Sequence, residues 1–149
     1  MVISFCGHAE VVFSQEDISQ LKHIIVEELK NSPETKFYLG GYGNFDSICL
    51  SILKDLKREY PKIEIVFVTP YLTEGFLKRR YEINKYDNII YPPIEITPKR
   101  YAILKRNEWM VKNSDCIIGF VKHRMGGAWK MMEYARRKKI RVINMCERQ

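Results

Sequence analysis

The chain has few cysteines and no two of them close together. Cys6, Cys49, Cys116 and Cys146 are its four, each set singly inside an apolar run, which excludes the close spacing of a zinc site or a thioredoxin-like motif. They read as buried thiols, and no metal or cofactor is expected. No apolar run approaches the ~20 residues that span a bilayer. The opening MVISFCGHAEVVF lacks the basic start, long apolar centre and cleavage site of a secretory signal, so no membrane partner and a cytoplasmic location are expected. Low-complexity stretches and fixed-period repeats are absent too. The Gly40-Gly41-Tyr42-Gly43 turn is followed by no Lys-Ser/Thr, which rules out a Walker loop, and its glycine spacing does not match the dinucleotide fingerprint.

What is present is an ordinary globular balance: 46% hydrophobic and 29% charged residues in 149, enough for one domain over residues 1–149 with a sizeable core. The net charge of +7 is divided among short clusters such as Lys78-Arg79-Arg80, Lys122-His123-Arg124 and Arg136-Arg137-Lys138-Lys139. A basic surplus favours anionic partners in general. The last cluster also complements the dipole at the end of an expected helix.

Two kinds of segment alternate. β-rich runs lie at Val2–Cys6, Lys36–Leu39, Ile63–Val68, Asn88–Tyr91, Cys116–Val121 and Arg141–Met145, and helical patterns at Gln15–Lys30, Phe45–Glu59, Thr73–Lys85, Pro98–Lys112 and Ala128–Lys139. This alternation predicts a Rossmann-like three-layer α/β/α sandwich with a mostly parallel central sheet. IEIVFV and CIIGFV suit strands buried on both faces.

Ligands of such sheets bind beyond the carboxyl ends of the strands. The residues there are Gly7-His8, the Gly40–Gly43 turn, Thr69-Pro70-Tyr71 and the KHRMGGAWK segment of residues 122–130. Two of these loops lead into expected helix N-termini, which present free N–H groups to an anion. The glycine turn itself reads either as a phosphate cradle or as a tight corner capped by Asn44 or Asp46. His8 is a candidate for a phosphate or base contact; Tyr71, Tyr42 and Trp129 are candidates for stacking on a purine. Arg100 faces either solvent or ligand, and Trp109 and Met110 read as core anchors.

The segment KRNEWMVKNSDCIIGFVKHRMGGAWKMMEYARRKK, residues 105–139, resembles the SLOG superfamily, which unites the DNA-processing protein A family with the "lonely guy" phosphoribohydrolases. Arg106-Asn107-x-x-Met110 stands at that family's Arg-Lys-x-x-Met helix, Ser114-Asp115 at its turn into a strand, and Met125-Gly126-Gly127 through Glu133 at its Pro-Gly-Gly-x-Gly-Thr-x-x-Glu motif. Met125, Trp129 and Lys130 replace the proline, third glycine and threonine. With FCGHAE, GGYGNFD and PKRYAILKRNEWM, the chain is most similar to the small YpsA-like branch. The resemblance implies a pocket for a nucleotide or nucleotide-derived ligand. Gly126, Gly127, Ala128 and Lys130 would stand at its phosphate end, with Arg106 and Glu133 at the family's catalytic positions. Gly40, Gly41 and Gly43 would form a second wall, with Asn44 and Asp46 as hydrogen-bonding partners. The resemblance also implies homo-oligomers.

Three functions follow as expectations: a nucleotide-binding sensor or regulatory module first, an N-glycosidase of nucleoside monophosphates second, and nucleic-acid binding last. The last ranks low because the positive charge is split and no helix-turn-helix or RNA-recognition signature appears. Glu133 has a plain alternative, a surface pair with Arg137 at i,i+4.

Overall fold

The computed structural model describes residues 1–75 and 85–147. Six strands form one all-parallel sheet in the order β4-β3-β2-β1-β5-β6: β1 Val2–Gly7, β2 Lys36–Leu39, β3 Glu64–Val68, β4 Asn88–Ile90, β5 Cys116–Phe120 and β6 Arg141–Asn144. Four helices are described, α1 Gln15–Asn31, α2 Asn44–Leu56, α3 Ala102–Lys112 and α4 Gly126–Arg137. All six strands and four of the expected helices therefore fall where the alternation of patterns puts them. The helix expected over Thr73–Lys85 lies for the most part outside the described residues.

The apolar residues of each strand divide between two cores, as the period of two demands. Ile3, Phe5, Phe37, Leu39 and Ile65 pack against α1 and α2 on one face. Cys6, Tyr38, Val66, Val68 and Ile117 pack against Met110 and Val111 of α3 and Met131, Met132 and Ala135 of α4 on the other. Three layers result, the arrangement expected of a Rossmann-like sandwich. Trp109 anchors α3 by stacking on Tyr38 of the sheet, 5.6 Å between ring centroids.

Local sequence sets the helix starts. Ser14 accepts from the Asp17 N–H while Asp17 accepts from the Ser14 N–H, a capping box at the head of α1, worth about 1 kcal/mol. At α4 the helix begins at Gly126, two residues before the expected Ala128, because the extended Met125 already turns the chain in. No described helix is long and apolar enough to cross a membrane.

The connections place the site. From β1 the chain builds outward through β2, β3 and β4, then returns to lay β5 on the other side of β1. That reversal opens a crevice at the carboxyl ends of β1, β2 and β5, the switch point where open α/β sheets bind ligands.

Candidate functional site

A cavity of about 450 Å³ occupies this switch point, within the size range of small-molecule sites. Gly7, His8 and Ala9 after β1, Gly40, Tyr42 and Asp46 around the turn after β2, and Gly126, Gly127 and Ala128 at the head of α4 line it. Phe5, Cys6, Met110 and Met131 supply apolar walls, while Ile103, Arg106 and Asn107 of α3 complete it.

Arg106 is the organising side chain. It is buried, with 4% of its surface exposed. Its Nη1 donates to the carbonyls of Gly40 and Val68, both at 2.9 Å, tying the ends of β2 and β3 to α3. Its Nε donates to Asn107 Oδ1 at 2.8 Å, which fixes the plane of the guanidinium. Nη2 has no hydrogen-bond partner among the described residues, and Arg106 is one of the residues that line the cavity. Burial lowers the arginine to about 10 against the pull of Asp46 and Tyr71, so it remains cationic at neutral pH. Gly40 makes room for it: a Cβ there would lie 2.9 Å from Nη2 and 3.0 Å from Cζ.

Asp46, in the first turn of α2, is the second charge on the cavity wall. The Tyr42 N–H donates to its Oδ2 at 3.3 Å. Burial raises its carboxyl to about 6, opposed by Arg106 and by the backbone N–H groups of Tyr42, Gly41 and Gly40. These N–H groups, the ones a phosphate cradle would use, are turned on the chain's own carboxylate. Asp46 and Arg106 both line the cavity and attract one another, without forming a salt bridge among the described residues.

The head of α4 differs. Met125 gives no side-chain cap and the first turn carries no acidic residue, so neither the cap position nor the first turn supplies a counter-charge to the N–H groups and the positive end of the helix dipole. A Cβ on Gly127 would meet nothing within 4 Å. One tie holds this turn to the sheet, the Cys6 thiol donating to the Ala128 carbonyl at 3.1 Å. Burial pushes that thiol far above the ordinary range, so it stays protonated as a donor.

The remaining residues singled out from the sequence are dispersed. His8 lines the cavity, but its Nε2 accepts from the Lys122 and His123 N–H groups at 3.1 and 3.0 Å, fixing a neutral imidazole; burial and the neighbouring His123 lower its pKa. Gly41 and Gly43 shape the turn without lining the cavity. Asn44 is engaged with Val11, accepting from its N–H at 2.9 Å and donating to its carbonyl at 2.6 Å. Tyr71 lines a separate cavity of about 250 Å³, with Lys99 Nζ 5.8 Å from its ring centroid. Arg100 is exposed and lies over the Tyr101 ring at 4.9 Å; Lys130 is exposed and outside the cavity lining. Glu133 is also outside that lining, its Oε2 accepting from Arg136 at 3.1 Å, an i,i+3 pair where i,i+4 with Arg137 was the alternative. Arg136 in turn donates to Glu147 at 2.7 Å.

Sequence reading did not single out Phe5, Cys6, Ile103, Asn107 or Met131 as lining residues. Adjacency was the available signal: Cys6 precedes Gly7, Asn107 follows Arg106, and Met131 stands one helical turn after Gly127. Among the described residues no group of three or more His, Cys, Asp or Glu is placed to hold a metal ion.

The sheet order and its helical layers define a Rossmann-like three-layer α/β fold. The solved structures it resembles include DNA processing protein A from Helicobacter pylori, described for its unique single-stranded DNA binding mode. That protein superposes with a TM-score of 0.63 at 14% identity, over 95% of this chain and 63% of the other. The structural-genomics target TM1055 superposes with a TM-score of 0.56 at 14% identity, over 95% of this chain and 71% of the other. The chain thus spans a little under two-thirds of the length of the DNA processing protein A structure. No protein-family model and no curated protein sequence matches the chain.

Proposed function

We propose that the protein binds a nucleotide or nucleotide-derived ligand in the switch-point cavity, acting as a sensor or regulatory module. One observation carries this reading: a buried arginine, Arg106, lines a cavity of about 450 Å³ that also holds the uncapped head of α4. A desolvated arginine and helix N–H groups together form an anion site, and the apolar walls supplied by Phe5, Met110 and Met131 suit the less polar remainder of a nucleotide. Isothermal titration against nucleoside mono- and diphosphates, cyclic nucleotides and ADP-ribose-type compounds tests it. Saturable one-to-one binding that Gly127→Val weakens at least tenfold is the expected result; absence of saturable binding across the panel overturns it.

Hydrolysis of an N-glycosidic bond is the second reading, motivated by Arg106 in the cavity. It requires Glu133 to leave Arg136 and turn inward, and the present pairing favours binding over turnover. Nucleic acid stays open as a third reading through the single-stranded DNA binding described for DNA processing protein A. Mobility shifts that weaken steeply with salt would support it.

A further inference from the structure

The two charges on the cavity wall assign the orientation and the chemical class of the ligand. We propose that Asp46 reads the sugar: its carboxylate accepts the ribose hydroxyls of a ribonucleotide whose phosphate lies on Arg106 Nη2 and the head of α4, so that the cavity selects ribonucleotides over 2′-deoxyribonucleotides. This assignment rests on the nucleotide reading above and narrows it.

The turn after β2 carries the glycines of a phosphate loop, but its N–H donors already face a carboxylate. Tyr42 N–H donates to Asp46 Oδ2 at 3.3 Å, and the Gly40 and Gly41 N–H groups act on the same carboxyl. An anion placed there would meet negative charge instead of donors. The phosphate is therefore directed to the wall where donors are open: Nη2 of Arg106, whose other nitrogens are engaged by Gly40, Val68 and Asn107, and the uncapped N–H groups of α4.

A carboxylate has about four acceptor sites, so the backbone N–H groups of Tyr42, Gly41 and Gly40 leave Asp46, on the cavity wall, acceptor capacity for a further donor. Hydroxyl donors satisfy it; a second anion does not. Inorganic phosphate satisfies the Arg106 side and leaves Asp46 facing like charge, whereas a ribonucleotide carries both the anion and the hydroxyls that the two walls require. Single-stranded DNA lacks the 2′-hydroxyl that distinguishes RNA from DNA at a protein site. Sites that hydrogen-bond a ligand hydroxyl discriminate strongly against analogues lacking it, because the polar group of the site is left unpaired.

Isothermal titration of AMP, GMP, CMP and UMP, each paired with its 2′-deoxy counterpart, tests the assignment on the unmodified protein; inorganic phosphate serves as the anion-only probe. The best-bound ribonucleotide is expected to bind at least tenfold more tightly than its 2′-deoxy form and more tightly than phosphate. In Asp46→Asn that ratio should fall to within about threefold while binding itself persists. Equal affinity for ribo and deoxy forms in the unmodified protein overturns the assignment and leaves nucleotide binding intact. A tenfold preference that survives Asp46→Asn overturns the role of Asp46. Failure of every nucleotide to bind overturns the nucleotide reading together with this one.

Discussion

The turn after β2 and the turn before α4 both carry paired glycines and both open a helix at the rim of one cavity, yet their inventories of partners are opposite. In the first, Asn44 is bonded to both polar groups of Val11, the Asn44 N–H donates to Ala9 O at 2.9 Å, and Tyr42 N–H donates to Asp46. In the second there is no cap and no carboxylate, and open space lies beside Gly127. A pair of glycines in sequence marks a turn that needs them. Which of two such turns can accept an anion is decided by whether the chain supplies its own. Here the first turn supplies its own carboxylate, and the second has none in the first turn of its helix.

The largest effect is expected at the side chain that ties the first turn to the end of β3. Arg106→Ala removes three hydrogen bonds and leaves the buried Gly40 and Val68 carbonyls without their donor. Deleting a buried charged group of this kind costs about 3–5 kcal/mol, read as a lowered denaturant midpoint, and nucleotide binding is lost with it. Arg106→Lys keeps the charge without the fork and should recover less than half of the stability. A loss below about 1 kcal/mol for Arg106→Ala would mean that the guanidinium does not hold the strand ends.

Alanine at the two turns separates them directly. Gly43 sits at φ 88°, and a Cβ there would come within 2.7 Å of Ala9 Cα. Gly43→Ala is expected to destabilise by at least ~2 kcal/mol, combining the left-handed backbone cost with the clash. Gly127→Ala lies within α4 with free space around it and should stabilise by up to about 1 kcal/mol, while weakening nucleotide binding by crowding the cavity. Urea denaturation of the two variants, with titration of the second, reads the contrast. Equal destabilisation by both would erase it.

How much of this was legible beforehand follows from how far each interaction reaches. Strands such as β3 and β5 were visible because continuous apolar runs are a local signal of burial on both faces. The Ser14–Asp17 capping box is likewise local. The family resemblance put Arg106 at a catalytic position, but its burial was not visible: it stands between exposed Lys105 and half-buried Asn107, and carbonyls 66 and 38 residues away hold it. Asn44 read as a ligand contact for the same reason, its partner Val11 being 33 residues distant. The cap expected of Asn44 or Asp46 does not form, since the head of α2 takes no side-chain cap; Asp46 instead accepts from Tyr42 four residues back, and its place on a cavity wall depended on the sheet order.

The charge that closes the first turn should itself be measurable as a pH dependence. The folded state holds the Asp46 proton more tightly than the unfolded chain, with a carboxyl raised from 3.8 to about 6. The stability it contributes is therefore full below about pH 4 and is lost as pH rises through 6. Cys6 and Cys49, its neighbours, are raised by burial and stay neutral across this window, while Arg106 stays charged. Asp46→Asn keeps an acceptor for the Tyr42 N–H and removes the titration. At pH 8 it should gain roughly 1–2 kcal/mol over the unmodified protein, since two units correspond to ~3 kcal/mol and part of the residue reaches solvent. At pH 4 the two should coincide. A difference independent of pH would show that another group sets the slope.

The smallest effect is expected at Glu133, the residue that the family resemblance put at a catalytic position. Its side chain is 38% exposed and pairs with Arg136, 35% exposed, which also pairs with Glu147. Exposed pairs of this kind contribute about 0–1 kcal/mol, and Arg136 keeps a carboxylate partner when one is removed. Glu133→Gln should therefore shift stability by no more than about 0.5 kcal/mol, and nucleotide affinity should be unchanged because the residue does not line the cavity. Titration of the variant against the best-bound nucleotide checks the second statement. A tenfold loss of affinity, or loss of base release where the unmodified protein releases base, would mean that Glu133 abandons Arg136 when ligand enters. The head of α4 would then contribute a side chain as well as its backbone, and the contrast between the two turns would lie in chemistry as well as in access.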